Sequence, residues 1–315
     1  MDLRLLAKHI GVLYPVFNRI RKIRYVHTLE DLDRALAPVM AQEEPSREAL
    51  NSLGKTGYAP KDMPTGDPSS PAFTDAQWKL YRDVSGRASY GLENEVTPMD
   101  EEKVKDDFFP YSTRSQAFVG ESLMKQGFLV KHMRIAPESR IVEFGAGWGN
   151  TAVPLAMMHH KVTAVEAHHG SAELIRHRAG RIGRSITVVE ADMMEFARST
   201  PEKFEAAIFS ASFHHCWDHL EMVKALARIV VPGGEVYFSD EPIHFAINPG
   251  LPYPWGLRLD GNSLYYVRRY GWLELGFQYS YLKKILRENG FTTRVVPSGL
   301  PDVPPLVVAR RNPLP

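Results

Sequence analysis

Short apolar runs alternate with helical patterns through the second half of this sequence, and no other feature limits the possible fold as strongly. Five β-rich runs occur in order, at residues 141–144, 162–166, 186–190, 204–210 and 235–240. Helical patterns separate them near residues 151–159, 171–182 and 217–230. Nearly continuous apolar strands with helices between them are typical of a parallel sheet that helices cover on both faces.

The C-terminal sequence completes this sheet. An irregular aromatic stretch at residues 243–276 is followed by a helical pattern at 279–288, which Gly290 closes in the position expected after a helix. Two further β-rich runs, near 292–297 and 305–310, bring the number of strands to seven. We therefore expect an α/β fold with a doubly wound, mostly parallel seven-stranded sheet.

The first third of the chain has a different character. Apolar residues recur at helical spacing over residues 1–23, with Pro15 inside the pattern and basic residues on the other faces. This segment is either a helix packed on the protein or a basic amphipathic helix that contacts an anionic membrane surface. Prolines and glycines at residues 43–72 predict a linker. Helical patterns return at residues 75–84 and 115–133. We expect an N-terminal helical extension with the linker at 1–110, and a second domain at 111–315 that contains an insert at 243–276.

The charge balance and the cysteine content exclude several classes of protein. The formal net charge is +1, so no global field favours binding to nucleic acid. Cys216 is the single cysteine, which excludes an intramolecular disulfide and a cysteine-rich metal site and fits a reducing compartment. No apolar run approaches the roughly 18 residues that a membrane span needs. We expect a cytoplasmic protein without a transmembrane segment or a nucleic-acid partner.

A glycine-rich loop follows the first β-rich run. Gly145, Gly147 and Gly149 alternate in the string IVEFGAGWGN at 141–150, and a helical pattern starts at once, with Asn150 as its expected N-cap. Glycines let the backbone turn sharply and approach a ligand closely, and a helix N-terminus attracts an anion. A dinucleotide fingerprint requires glycine at the first, third and sixth positions, and the sixth position here is Asn150. The spacing therefore disfavours a NAD site.

The string at 141–150, with Glu143 two residues before the first glycine, resembles motif I of the class I S-adenosylmethionine-dependent methyltransferases. Further passages agree with that family in order: Glu166 ends the second run, Asp192 follows the third, and ARIVVPGGEVYFSD at 227–240 leads through the fifth. The resemblance implies a Rossmann-like sheet and S-adenosylmethionine as the cofactor.

The same resemblance implies roles for individual residues. Glu143 would hold the methionine ammonium of the cofactor, Glu166 the ribose hydroxyls and Asp192 the exocyclic amine of adenine. Met193 would lie against the adenine ring, and the loop at 145–149 would hold the methionine carboxylate. The residues expected to bind the cofactor are Tyr111, Ser115, Glu143, Gly145, Ala146, Gly147, Glu166, Ala167, Asp192, Met193 and Ser210. Tyr111 and Ser115 are candidates either for a lid over the cofactor or for plain helix capping and packing.

Three histidines are candidates for a catalytic base near the methyl acceptor. His214 and His215 follow the fourth run and His244 follows the fifth, at the strand ends where reacting groups lie in such sheets. Histidine titrates near neutral pH and can accept the proton of an attacking hydroxyl. We expect no metal, because the acids and histidines of this region lack a compact ligand spacing. The residues considered for a metal site are Asp218, His219, Asp240, Glu241 and His244.

The insert has a composition that suits a sugar. Within residues 252–273, six aromatic side chains are interspersed with arginine, aspartate and asparagine. Aromatic platforms and hydrogen-bonding groups match the apolar face and the hydroxyl rim of a sugar ring. The residues expected to bind the acceptor are Tyr253, Trp255, Arg258 and Asp260. The insert is loosely similar to those of bacterial glycan-tailoring methyltransferases, although a homodimer contact would use the same residue types.

The sequence thus predicts an enzyme that transfers a methyl group from S-adenosylmethionine to a small-molecule or glycan acceptor. The expected target is a hydroxyl oxygen on a saccharide or a glycan precursor. The alternatives are a methyltransferase for a non-sugar small molecule, an NAD-binding oxidoreductase and an inactive cofactor-binding partner.

Overall fold

The computed structural model of the chain describes residues 23–43, 45–96, 104–107, 109, 115–300 and 302–313. Its contacts divide the chain into two compact units. The first unit comprises Met1–Thr97 and Pro242–Leu282, and the second comprises Pro98–Glu241 and Lys283–Pro315. Residues 1–22 of the predicted N-terminal helix, and Tyr111, lie outside the described residues. Among the helices that are described, none is long and apolar enough to cross a membrane.

Helices and strands are numbered along the whole chain. The helices are α1 (Leu29–Met40), α2 (Arg47–Leu53), α3 (Pro71–Ser85), α4 (Gln116–His132), α5 (Ala152–Met157), α6 (His169–Arg181), α7 (Met193–Ser199), α8 (His219–Ile229), α9 (Gly261–Tyr270) and α10 (Tyr279–Glu288). The strands are β1 (Arg24–Val26), β2 (Thr56–Tyr58), β3 (Arg140–Phe144), β4 (Lys161–Glu166), β5 (Thr187–Glu190), β6 (Phe204–Ser210), β7 (Val230–Ser239), β8 (Ile243–His244), β9 (Trp255–Leu257), β10 (Leu275–Gln278), β11 (Phe291–Val296) and β12 (Leu306–Arg311). Two short 3-10 helices lie at Leu92–Glu95 and Phe213–His215.

Local sequence sets the helix ends in the first unit. The hydroxyl of Thr28 accepts a hydrogen bond from the amide of Asp31 at 3.1 Å and so caps α1. Ser70 caps α3 in the same way, and Pro71 occupies the first turn, where its missing N–H costs nothing. Helix α3 ends at Gly86, whose φ of +70° is accessible to glycine without strain.

The core of the first unit joins residues that are far apart in the sequence. The Tyr81 hydroxyl on α3 donates to the Gly271 carbonyl at 2.6 Å, and the Gln77 side chain donates to the Trp255 carbonyl at 2.9 Å. Strand β10 pairs with β8 in parallel and with β9 in antiparallel orientation. The N-terminal region and the insert therefore form one compact unit, whereas the sequence assigned the insert to the second domain.

Two segments that the sequence predicted to be irregular contain regular structure. Helix α2 and strand β2 lie within the expected linker at 43–72, and β8, β9, α9 and β10 lie within the insert. The amide of Tyr58 in β2 donates to the carbonyl of Leu259 at 2.8 Å. Because the pairing of Tyr58 with Leu259 joins residues that are distant in the sequence, the local composition around β2 does not predict it. Residues 43–72 are thus not a continuous linker.

The second unit is built on a seven-stranded sheet in the order β11-β12-β7-β6-β3-β4-β5. Strands β3 to β7 pair in parallel, and β12 runs antiparallel to both β7 and β11. The predicted α/β fold, a doubly wound and mostly parallel Rossmann-like sheet, is confirmed. The main difference is β7, which begins at Val230 and so includes the Pro-Gly-Gly passage that was expected to precede it.

A row of aromatic rings crosses the sheet just before the strand ends. Phe144 of β3 stacks on Phe209 of β6 with ring centroids 5.0 Å apart, and Phe209 stacks on Phe238 of β7 at 5.6 Å. All three side chains are fully buried. Well-packed aromatic side chains in a core stabilise the positions of the residues next to them. The residues that follow these three strands are therefore held on a rigid base.

The strand order reverses between β3 and β6. From β3 the chain continues to β4 on one side, and it later returns to form β6 on the other side. In open α/β sheets, ligands bind beyond the carboxyl ends of the strands at such a reversal. The topology therefore places the candidate site after β3 and β6.

Candidate active site

A crevice of about 270 Å³ opens beyond the carboxyl ends of β3, β6 and β7. Its walls come from the loop after β3, from the ends of β6 and β7, and from Ser122, Lys125 and Gln126 on α4. Five of the predicted cofactor-binding residues line it: Glu143, Gly145, Ala146, Gly147 and Ser210. The structure thus brings the glycine-rich loop and the end of the fourth predicted strand to one cavity.

Glycine is needed at different positions of the loop for different structural reasons. Gly145, Gly147 and Gly149 have φ angles of +62°, +53° and +73°, which side chains other than glycine rarely adopt. A Cβ atom at Gly145 would lie 2.7 Å from the Cβ of Ser212, and one at Gly149 would lie 3.0 Å from Ile175. A Cβ at Gly147 would have no described atom within 4 Å. Packing therefore requires Gly145 and Gly149, whereas Gly147 borders open space in the crevice.

The second half of the loop is fixed by α6 and not by a helix cap at Asn150. The Asn150 side-chain oxygen accepts a hydrogen bond from Arg178 at 2.9 Å, and Arg178 also donates to the Trp148 carbonyl. Helix α5 begins at Ala152, with Thr151 as its N-cap. The prediction that Asn150 caps the helix is wrong, because its side chain faces Arg178.

Glu143 is a buried carboxyl group at the end of β3. Its side chain lines the crevice although the residue is only 2% exposed, and its Oε2 atom has no hydrogen-bond partner among the described residues. Burial raises the pKa of Glu143 to about 8, against the opposing effect of hydrogen bonds from Thr151 and the amide of Ala152. A buried carboxyl oxygen without a partner is costly unless a ligand donates to it.

Glu166, at the end of β4, organises the glycine-rich loop. Its two carboxylate oxygens accept hydrogen bonds from the amide of Gly147 at 2.7 Å and from the amide of His168 at 2.9 Å. Burial raises the pKa of Glu166, and these backbone hydrogen bonds oppose that rise. The side chain therefore links β4 to the loop after β3, and the predicted contact of Glu166 and Ala167 with the ribose stays a prediction.

The other predicted cofactor-binding side chains have defined neighbours as well. Asp192 caps α7: one of its oxygens accepts from the amides of Met194 and Glu195 at 2.8 and 2.9 Å. The terminal methyl of Met193 lies close to Gly145, at 3.8 Å from the position a Cβ there would take. Ser115 caps α4 by accepting from the amide of Phe118 at 3.4 Å. The structure shows the capping role for Ser115, and the adenine contacts of Asp192 and Met193 stay predictions.

One candidate base after β6, His214, is held by an acid after β7. His214 Nδ1 lies 2.8 Å from Glu241 Oε2, and both side chains are buried. His215 follows directly, and the two imidazole rings lie 4.1 Å apart between centroids. Neither histidine lines the crevice described above.

Of the residues considered for a metal site, Asp218, His219 and Asp240 lie in the second unit and have separate partners there. Asp218 pairs with Arg198 at 3.3 Å, and Asp240 pairs with Lys125 at 2.7 Å. His219 is buried, with its Nδ1 atom 3.0 Å from the Trp217 carbonyl, and burial lowers its pKa to about 4. These contacts distribute the acids over several elements of the fold.

A sequence family described as a methyltransferase domain matches residues 141–234, from the start of β3 into β7. The match covers the glycine-rich loop, Glu166, Asp192 and the first half of the Pro-Gly-Gly strand. Residues 141–234 are thus similar to that family of methyltransferase domains.

Curated relatives match about a third of the chain. The ubiquinone biosynthesis O-methyltransferase of Vibrio cholerae is 26% identical over 100 residues, which are 32% of this chain and 41% of that protein. The enzyme of the same name from Yersinia pestis is 26% identical over 102 residues, 32% of this chain and 42% of that protein. The chain thus spans about two fifths of the length of these relatives.

Solved structures of other methyltransferases are also similar. The 1,6-didemethyltoxoflavin-N1-methyltransferase of Burkholderia thailandensis has a TM-score of 0.45 and 21% identity, over 72% of this chain and 93% of that one. The magnesium protoporphyrin IX methyltransferase of Synechocystis has a TM-score of 0.44 and 15% identity, over 76% and 93%.

The residues around the crevice of the methyltransferase domain fit the methionine end of S-adenosylmethionine. The partnerless buried oxygen of Glu143 suits an ammonium group, and the open space over Gly147 leaves room for a ligand. Lys125 provides the one cationic side chain among the residues that line the crevice, and it suits a carboxylate. A zwitterionic ligand matches this pair of side chains, because an ammonium group beside Glu143 favours its ionised form and so opposes the effect of burial on its pKa.

The acceptor residues predicted in the insert belong to the first unit. Trp255 is 3% exposed and packs against Phe73 with ring centroids 5.5 Å apart, and Arg258 forms an ion pair with the buried Glu274. Asp260 caps α9 through the amide of Ser263 at 3.1 Å. Tyr253 is 57% exposed. Trp255 and Arg258, which the sequence predicted to bind the acceptor, thus both have partners within the unit, and Trp255 is buried.

The third candidate base, His244, also lies in the first unit. Burial, and to a lesser degree the charge of Arg258, lower the pKa of His244 to about 4, and Asp260 opposes the shift. An imidazole with so low a pKa is neutral at pH 7 but is a weak base. His244 is thus a poorer candidate for proton removal than its position in the sequence suggested.

The sequence interpretation missed the contribution of α4. Ser122, Lys125 and Gln126 face the crevice from this helix, and Lys125 pairs with Asp240. A signal was present, because these three polar residues are spaced three and four apart in the predicted helix at 115–133 and so share one face. What the sequence did not contain was the direction in which that face points.

Proposed function

We propose that the protein is an O-methyltransferase that transfers the methyl group of S-adenosylmethionine to a hydroxyl oxygen of a small molecule. The observation that carries the proposal is Glu143, a buried carboxyl group that presents a partnerless oxygen to the crevice at the strand reversal. A methyltransferase domain matches the sequence around it. An ammonium donor such as the methionine end of the cofactor relieves the cost of that unpaired oxygen.

The remaining charges of the crevice support the same orientation of the cofactor. Helix α5 has six residues, so its aligned peptide groups provide little positive potential for an anion. Lys125 is 29% exposed at its side chain and can exchange Asp240 for the methionine carboxylate. In the proposed complex, Glu143 holds the ammonium group and Lys125 holds the carboxylate.

The proposed chemistry is direct displacement. S-adenosylmethionine supplies an electrophilic methyl group on a sulfonium sulfur, which departs as a neutral thioether. The protein contributes orientation of the two reactants, which can lower a barrier by roughly 7–11 kcal/mol. His214 Nε2 accepts the hydroxyl proton while the oxygen–methyl bond forms and the sulfur–methyl bond breaks.

The choice of oxygen rests on two observations. A histidine held by a carboxylate, His214 with Glu241, suits removal of a hydroxyl proton. The curated relatives named above are O-methyltransferases of ubiquinone biosynthesis. The case for a saccharide is weaker than the sequence indicated, because Trp255 is buried and Arg258 is paired, which leaves Tyr253 as the exposed aromatic residue of the predicted set.

A binding experiment tests the cofactor assignment. Calorimetry with S-adenosylhomocysteine and with NAD should show binding of the first alone. Glu166→Ala should weaken that binding by about 2 kcal/mol or more, because charged hydrogen bonds of the loop and the ribose are lost. Glu173 is an exposed residue of α6, and Glu173→Gln is the matched control. This variant should bind S-adenosylhomocysteine as the wild type does. Tight binding of NAD, or no effect of Glu166→Ala, would overturn the assignment.

A transfer experiment tests the acceptor. The protein is incubated with methyl-labelled S-adenosylmethionine and with catechol, 3,4-dihydroxybenzoate, methyl glucoside or benzylamine. Label in the first two compounds supports the proposal, and label in the glucoside alone restores the saccharide prediction. Label in benzylamine alone contradicts an oxygen acceptor. Cofactor binding without transfer to any probe favours the inactive binding partner.

A further inference from the structure

Glu241 makes an unusual number of contacts for one side chain. It follows β7, its side chain is 0% exposed, and its two oxygens contact three consecutive residues of the loop after β6. Oε1 accepts from the amides of Ser212 and Phe213 at 2.7 and 2.8 Å. Oε2 accepts from the amide of His214 at 3.2 Å and lies 2.8 Å from Nδ1 of the same residue.

The same kind of backbone turn follows the neighbouring strands β6 and β7, and it brings Glu241 close to the loop after β6. Ser210 of β6 pairs with Ser239 of β7. The residue that follows each strand, Ala211 after β6 and Asp240 after β7, has a φ near +55°. Neither residue is glycine, so each turn carries local strain that the surroundings must offset. The turn at Asp240 precedes Glu241, whose side chain reaches the loop after β6.

The hydrogen-bond pattern selects one form of the His214 ring. Oε1 accepts two amides and Oε2 accepts one, so the carboxyl group is an acceptor at three of its four contacts, and three donated hydrogen bonds favour its ionised form. An acceptor opposite Nδ1 favours the tautomer that carries its hydrogen on Nδ1. The lone pair is then on Nε2, on the other side of the ring.

We propose that Glu241 is a positioning residue for methyl transfer, which fixes the His214 tautomer and the backbone of the loop that carries it. This inference rests on the proposed function, in which His214 Nε2 takes the hydroxyl proton. In that step Glu241 forms no bond to the substrate. Burial raises the pKa of Glu241, and the hydrogen bonds from the amides of Ser212, Phe213 and His214 oppose that rise and favour the carboxylate. The contribution of Glu241 reaches the reaction through His214.

Replacement of Glu241 by glutamine gives a specific expectation for the ring. The amides of Ser212 and Phe213 need an acceptor, so the glutamine oxygen takes the position of Oε1. The amide nitrogen then faces His214 Nδ1 and donates to it. Glu241→Gln should therefore move the hydrogen of the neutral ring from Nδ1 to Nε2.

Nitrogen NMR of the whole protein labelled with 15N-histidine tests this without any acceptor. His214→Asn removes one set of ring signals and so identifies His214, and its side chain can still donate to Glu241. The wild type should show the Nδ1–H pattern and Glu241→Gln the Nε2–H pattern. An unchanged His214 pattern in Glu241→Gln, or an Nε2–H pattern in the wild type, overturns the proposal.

A kinetic cycle separates positioning from simple structural support. Turnover is measured with labelled S-adenosylmethionine and catechol for the wild type, Glu241→Gln, His214→Asn and the double variant. Glu241→Gln should lower kcat roughly 10²-fold or more, as expected when a catalytic histidine has the wrong tautomer, with KM for S-adenosylmethionine within about twofold. In the His214→Asn background the same change should cost less than about threefold.

Equal losses in both backgrounds would show that Glu241 only supports the loop, and they would overturn the inference. If catechol and the other probes are not methylated, the proposed function fails by itself. The NMR result then still decides whether Glu241 orients His214.

Discussion

Gly145 and Ser212 are so close that a Cβ atom on the glycine would lie 2.7 Å from the Cβ of the serine. The serine hydroxyl also donates to the Phe144 carbonyl at 2.7 Å. The loop after β3 and the loop after β6 are therefore in direct contact at the strand reversal. Gly145 of the glycine-rich loop and the segment after β6 that carries the candidate base are therefore packed against each other.

This contact predicts different effects for two neighbouring glycines. Gly145→Ala should destabilise the protein by more than the roughly 1–2 kcal/mol expected for a left-handed alanine, since it also collides with Ser212. Gly147→Ala should lower the stability only by the cost of a left-handed alanine backbone. Its methyl group enters the crevice, however, and should weaken S-adenosylhomocysteine binding. Urea denaturation and calorimetry on both variants measure the two quantities. Equal stability losses would contradict the packing argument.

Glu143 should make the protein less stable as the pH rises. Its pKa is about 8 in the folded protein and 4.5 for an ordinary glutamate, so between these values the folded state keeps a proton that the unfolded state releases. The stabilising contribution is complete below about pH 4.5 and is lost as the pH approaches 8. Glu143→Gln does not titrate, and it should gain stability over the wild type from about pH 5 to pH 8.

The gain should be on the order of a few kcal/mol, since one pKa unit corresponds to about 1.4 kcal/mol. Thermal unfolding of both proteins at several pH values measures it. The same variant should bind S-adenosylhomocysteine at least about tenfold less tightly, because a charged hydrogen bond is lost. A stability difference that does not vary with pH would contradict the burial of Glu143.

Lys125 and Asp240 should affect cofactor binding in opposite directions. Lys125→Met removes the cationic side chain of the crevice and should weaken S-adenosylhomocysteine binding about tenfold, equal to about 1.4 kcal/mol. Asp240→Asn removes the competitor for Lys125 and should leave binding unchanged or tighter. Calorimetry on the two single variants tests this. Weaker binding by both would show that the ion pair itself is needed.

Trp255 should matter for stability, and Tyr253 should not. Trp255 is buried against Phe73, and its replacement by alanine should cost about 3–5 kcal/mol. Tyr253→Ala changes an exposed ring two residues away and should stay within about 0.5 kcal/mol of the wild type. Denaturant unfolding compares them. Wild-type stability in Trp255→Ala would return that residue to the set of acceptor-binding candidates.

The sequence predicted the sheet and the position of the glycine-rich loop well because both depend on local patterns. Strand β6 and helix α10 have the bounds that the sequence indicated, and Glu143 with Gly145 and Gly147 marked the crevice. Apolar runs, glycine spacing and strand-end acids are all read from neighbouring residues. The topology then follows from the rules of parallel sheets.

The sequence did not predict the features that depend on distant partners. Glu241 was considered as a metal ligand, yet its carboxylate holds the loop after β6, because pairing of β6 with β7 brings the two strand ends together. Arg258 and Trp255 are residue types that suit a sugar site, yet Arg258 pairs with Glu274 and Trp255 packs against Phe73. Residue type alone does not distinguish a binding surface from a satisfied interior.

The shared core of the N-terminal region and the insert has a consequence for synthesis on the ribosome. Tyr81 and Gln77 on α3 need Gly271 and Trp255, and the whole of Pro98–Glu241 is made between them. At ordinary rates of translation, the early segment waits roughly ten to thirty seconds for its partner. During that interval its apolar face has no native cover, so the nascent chain carries a surface that chaperones recognise until the insert emerges.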